Sequence, residues 1–137
     1  MEIATLKTRA PHTRNYRSSE CKFLGFDLPS LIEKMKQSYT WENGELNALV
    51  LLKSPEKKII LTAMHEDTEV SSFQSNGSIT FQIIEGRLLF HVRKDTITLN
   101  KGQVMTLDEK IKYRLSTQME TVFLLTISDE LTNTKHN

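Results

Sequence analysis

The stretch Ser78-Ile-Thr-Phe-Gln-Ile-Ile-Glu-Gly86-Arg-Leu-Leu-Phe-His-Val92 decides the fold. Ile79, Phe81 and Ile83 alternate with Thr80 and Gln82, Gly86 interrupts, and Leu88, Phe90 and Val92 resume the alternation beyond it. A period of two marks a strand with one buried face, and a glycine between two such runs lets the chain double back. The segment predicts antiparallel strands over 78–85 and 87–93, joined by a tight turn.

The same period holds outward from Asn43-Gly44 to Ile127. Further strands are predicted over 46–53, 58–64, 95–99, 103–107, 111–116 and 120–127, punctuated by Ser54-Pro55, Asn76-Gly77 and Lys101-Gly102. Ahead of them, Asp27 and Pro29 suit the first turn of a helix, and Leu28, Leu31, Ile32 and Met35 share one face. One short amphipathic helix near 28–37 is expected to cover a sheet, with Trp41 stapling it down. Eight short strands and one early helix predict an all-β chain, a closed or two-sheet antiparallel barrel. Residues 1–26 read as an arm, 27–128 as the domain and 129–137 as a polar tail.

A chain of 137 residues and 15.8 kDa fits one hydrophobic core. Its single cysteine, Cys21, excludes an internal disulfide and a cysteine-based zinc site. Eighteen Lys and Arg stand against seventeen Asp and Glu, so there is no charge surplus to recruit nucleic acid or an anionic membrane. The longest wholly apolar run, Ala48–Leu52, is far short of the roughly 20 residues of a spanning helix. The early residues lack the apolar core of a secretory signal, and a cytoplasmic location is expected.

The Gly86-anchored strand pair resembles the first motif of the cupin superfamily, and Lys101-Gly102-Gln-Val-Met-Thr-Leu resembles the glycine-initiated strand that opens the second. Fifteen residues separate the two glycines, a spacer typical of compact cupins, and Gly77-Ser-Ile-Thr-Phe-Gln82 is similar to a stretch found in small single-domain members. The resemblance covers roughly residues 27–128 and implies the cupin double-stranded β-helix, a jelly-roll barrel, and commonly a homodimer.

Cupins usually bind iron, manganese, nickel or zinc through histidines and a glutamate in these motifs. At the matched positions this chain departs: Ile79 stands for the glutamate, Phe73 and Ser75 (or Ser72 and Gln74) for the first two histidines, and Tyr113 for the last. Phe and Ile have no lone pair to donate, and Ser, Gln or Tyr oxygens are poor substitutes for imidazole toward these ions. No cofactor and no metal are expected, and the cavity candidates become Phe73, Ile79, Phe81 and Tyr113, taking a small, mostly apolar ligand or none.

His65 follows Ile59, Leu61 and Ala63 at alternating positions, so its ring shares their face; with that face read as the barrel interior, His65 joins the candidates. His91 opposes Phe90 and Val92 and is expected outside the barrel, while His12 and His136 lie in the termini. The interior is expected to hold the rows Ile79-Phe81-Ile83, Leu88-Phe90-Val92, Ile111-Tyr113-Leu115 and Val122-Leu124, leaving Leu89, Phe123, Leu125 and Ile127 for burial under the helix or against another subunit.

Two function classes follow. The leading one is a metal-independent binding, regulatory or structural cupin. The alternative is an enzyme: a metal-dependent oxygenase or isomerase with a displaced site at His65 and the acids Glu66, Asp67 and Glu69, or a metal-free isomerase with Tyr113 as its acid.

Overall fold

The computed structural model describes residues 14–17, 22–71, 77–107 and 111–128. A short hairpin, β1 (Arg14–Arg17) and β2 (Lys22–Gly25), precedes two helices, α1 (Leu28–Lys36) and α2 (Tyr39–Asn43). Nine strands follow: β3 (Leu46–Lys53), β4 (Lys57–Met64), β5 (Glu69–Ser71), β6 (Ser78–Glu85), β7 (Arg87–Val92), β8 (Asp95–Asn100), β9 (Val104–Leu107), β10 (Arg114–Thr117) and β11 (Thr121–Ser128). They form a five-stranded sheet, β3-β4-β11-β6-β9, facing a four-stranded sheet, β5-β10-β7-β8. Every pairing is antiparallel, with β11 inserted between β4 and β6, and β10 between β5 and β7. These crossovers make the all-β jelly roll.

The two turns that anchor the sequence pattern have a physical basis. Gly86 and Gly102 both adopt left-handed backbone angles, φ +84° and +87°, which side chains other than glycine's resist. Gly86 is doubly constrained, since a Cβ there would lie 2.4 Å from the Glu120 carbonyl oxygen and 2.8 Å from Thr121 Cα.

Two apolar clusters share the five-stranded sheet. Inside the barrel lie Met64, Ile79, Phe81, Ile83, Leu88, Phe90, Leu99, Tyr113, Leu115, Phe123, Leu125 and Ile127. On the opposite face, α1 and α2 press Leu31, Ile32, Met35 and Trp41 against Leu61, Ala63 and Val122. The expected single helix is therefore a pair. Asp27 accepts from Ser30 N at the start of α1 (3.4 Å), and Ser38 caps α2 by accepting from Trp41 N (3.2 Å). Asn47 on β3 donates to the Met35 carbonyl (3.2 Å) and Ser38 Oγ (3.0 Å), tying both helices to the sheet edge. α2 is five residues long and buries only Trp41, too short to show a helical period in sequence.

Three further expectations are corrected. The strand expected over 111–116 begins at Arg114, and residues 111–113 approach it as irregular chain. No strand is predicted between 64 and 78, yet Glu69–Ser71 form one, β5. The parity of β11 is also reversed: Phe123, Leu125 and Ile127 point into the barrel, whereas Val122 and Leu124 face the helices. Both faces of β11 are apolar because the helices cover the outer one, so periodicity alone could not tell inside from outside.

Candidate functional site

The positions where the family places metal ligands fall at one end of β6 and just before β10. Ile79 is the second residue of β6, paired with Leu107 on β9 and Ile127 on β11, and is buried. Tyr113 is likewise buried, and its neighbours Lys112 and Arg114 are exposed, so the alternation expected for this segment places its ring inward. Phe73, with Ser72, Gln74 and Ser75, lies outside the described residues.

Tyr113 stacks on Phe90 with ring centroids 4.8 Å apart and meets Phe81 edge-on at 5.8 Å. Phe81 also packs edge-on against Phe90 at 5.4 Å and tilted against Phe123 at 5.8 Å. Phe81, Phe90 and Phe123 have no exposed surface. Edge-to-face and offset ring pairs contribute roughly 0.5–1.5 kcal/mol each beyond burial, so this cluster is a cohesive centre of the barrel.

The donor set does not fit the family's metal. Ile79 offers hydrocarbon where a carboxylate oxygen is needed, and Tyr113 offers a phenol among aromatic rings where an imidazole is needed. Among the described residues, no three His, Cys, Asp or Glu side chains are grouped so as to hold an ion.

His65 occupies a different place from the one expected. It does share the face of Leu61 and Ala63, but that face is the helix-covered one. Its ring stacks on Trp41 with centroids 3.5 Å apart and planes 20° apart, and Nε2 lies 2.7 Å from the Trp41 carbonyl oxygen. A carbonyl only accepts, so Nε2 is the donor in this hydrogen bond. His65 is a strut between α2 and the end of β4, and it does not join Ile79, Phe81 and Tyr113.

Hydroxyl groups that the sequence did not single out hold the framework around these positions. Thr117 Oγ1 donates to the His65 carbonyl (2.7 Å) and accepts from Thr68 N (3.1 Å), while its backbone N–H donates to the Thr68 carbonyl (3.0 Å). Thr121 Oγ1 accepts from Arg87 N (3.2 Å) beside the Gly86 turn. His91 lies on the outer face as expected, with Nε2 2.8 Å from Ser116 Oγ and Nδ1 3.2 Å from Thr96 Oγ1.

No family model and no curated protein matches the sequence. Solved structures do. The cupin domain of Cnp3 from Schizosaccharomyces pombe superposes with a TM-score of 0.70 at 16% identity, covering 93% of this chain and 90% of that one. The EutQ protein of Clostridium difficile gives 0.66 at 14% identity, covering 86% and 95%. A cupin-2 domain protein of Shewanella frigidimarina gives 0.60 at 14% identity, covering 75% and 93%. Strand order, turn glycines and these likenesses agree that the chain folds as a small cupin domain, one whose matched positions 79 and 113 carry an aliphatic and a phenolic side chain.

Proposed function

We propose that this protein is a metal-independent cupin with a regulatory or structural role in the cytoplasm, acting as a homodimer through its outer surface rather than through chemistry inside the barrel. The observation that carries this reading is the packing of Ile79 and Tyr113 into the Phe81, Phe90 and Phe123 cluster, where the fold would otherwise gather ligands. His65, the imidazole nearest in sequence to a site role, is committed to Trp41 on the far side of the sheet.

Calorimetric unfolding of the full chain with added Fe²⁺, Mn²⁺, Ni²⁺ or Zn²⁺ tests this reading. Binding confined to the folded state stabilises it by about 2.7 kcal/mol at a hundredfold excess over Kd, a shift of several degrees at this size. The expected result is no shift with any of the four; a saturable rise at one ion per chain would overturn the reading.

A small, mostly apolar ligand is the second reading. It is favoured by Tyr113, whose buried phenol brings a polar handle into an apolar interior. Such a ligand would have to part the ring cluster, so it predicts that small aromatics raise the unfolding temperature and that Tyr113→Phe weakens the effect.

A further inference from the structure

The outer face of the four-stranded sheet carries a hydrogen-bonded row that crosses three strands. Leu88, Phe90, Leu99 and Leu115 point into the barrel, so the strand alternation turns Leu89, His91, Thr96, Arg114 and Ser116 outward. The helices pack on the other sheet. Here His91 and Ser116 are half-buried and Thr96 is exposed.

His91 on β7 stands between Thr96 on β8 and Arg114 on β10, and Ser116 lies opposite Leu89. The imidazole bridges the two hydroxyls, with Nε2 2.8 Å from Ser116 Oγ and Nδ1 3.2 Å from Thr96 Oγ1. A neutral ring with its proton on Nδ1 donates to Thr96 and leaves the Nε2 lone pair to accept from the Ser116 hydroxyl. Thr117 and Thr121 direct their hydroxyls at main-chain carbonyls and hold the framework, whereas the Ser116 hydroxyl is directed at a base. A serine in hydrogen-bond contact with an imidazole that a third group orients is the arrangement of an activated nucleophile. The flanks of Ser116 differ in chemistry. Leu89 is apolar, while Arg114, two residues earlier on the same face, binds Glu69 through Nε and has further N–H donors in its guanidinium.

We propose that Ser116 is the nucleophile of a surface site that hydrolyses small carboxylic esters, with His91 as general base and Thr96 as the positioning residue that orients its ring. This activity goes beyond the role proposed above and takes place outside the barrel. Ser116 Oγ bonds to the ester carbonyl carbon as its proton passes to His91 Nε2. The bond from that carbon to the alcohol oxygen breaks, and the proton leaves with the alcohol. Water then adds to the acyl-serine carbon, giving its proton to Nε2; the bond to Oγ breaks, Oγ recovers a proton from Nε2, and the acid departs. Leu89 suits a short apolar acyl group, and Arg114 offers cationic donors to the charge that develops on the carbonyl oxygen.

The test is the reaction of the full chain with p-nitrophenyl acetate, followed by nitrophenol release and by mass spectrometry of its tryptic peptides. The parent should give a burst of nitrophenol with an acetyl group on Ser116. Ser116→Ala should lose that acetyl group. His91→Gln keeps a hydrogen-bonding side chain without a base and should slow the burst about a hundredfold. Thr96→Val should slow it about tenfold through lost orientation, and Thr96→Ser should restore it to within about twofold of the parent. Far-ultraviolet circular dichroism of every variant should stay that of the parent. Acetylation confined to lysines, or acetylation of Ser116 as fast in His91→Gln as in the parent, overturns the proposal.

Discussion

Gly86 and Gly102 carry the same left-handed backbone angle but different surroundings, and the difference is measurable. Alanine at Gly102 meets no atom within 4 Å, so it bears only the conformational cost of about 1–2 kcal/mol. Alanine at Gly86 adds a collision with main-chain atoms of Glu120 and Thr121, and should cost about 3 kcal/mol or more. Urea denaturation checks the order; equal losses would mean the Gly86 turn relaxes freely. Thr117→Val should cost about 1–3 kcal/mol by the same measurement, because it leaves the buried Thr68 amide without its hydroxyl acceptor. The glycines were legible in the sequence because their spacing and turn chemistry are local. The role of Thr117 was not, since its partners His65 and Thr68 are about fifty residues away in the chain.

The helical cover explains what strand periodicity could and could not tell. β4 and β11 are apolar on both faces, one toward the barrel and one toward α1 and α2. The phase linking Leu61, Ala63 and His65 was right, but the face was the wrong one, because sequence gives relative parity and only the packed layers give direction. His65→Phe should keep the stack on Trp41 and lose the hydrogen bond, costing about 1 kcal/mol, whereas His65→Ala loses both and should cost about 2–3 kcal/mol. Thermal unfolding followed by the fluorescence of Trp41, the only tryptophan, reads this difference directly.

The same layer is latched at its other end by Lys36, whose Nζ lies 2.6 Å from Glu120 and 3.0 Å from Glu85. Burial pulls the Lys36 pKa down, but hydrogen bonds and charge from Glu120 and then Glu85 outweigh it and hold the group above its ordinary 10.5. A base whose pKa rises on folding contributes stability fully below its unfolded value and loses it as pH climbs through the folded one. Lys36→Met should therefore cost about 0.5–1 kcal/mol at neutral pH. It should also shrink the parent's loss of stability above pH 10.5, as measured by denaturation across the alkaline range.

At the scale of the molecule, a jelly roll with cupin strand order encloses rings and aliphatic side chains, among them Ile79 and Tyr113. The barrel was legible in the alternating strands and two turns, and the substitutions at Ile79 and Tyr113 were legible once those turns fixed the register. How the rings contact one another was not, because it depends on β6, β7, β11 and the segment leading into β10 meeting across two sheets. No helix among the described residues is long and apolar enough to cross a membrane, and the exposed large apolar side chains among them include Val104, Val50 and Tyr39.

The proposed function supposes a cupin-like barrel that holds no metal. The direct measurement is metal content per chain, by inductively coupled plasma mass spectrometry, on full-length protein purified without chelator and without an affinity tag that binds metal. Iron, manganese, nickel and zinc should each fall well below one equivalent and be removed by desalting. One equivalent of any of them, retained through desalting and lost in Tyr113→Phe, would contradict it.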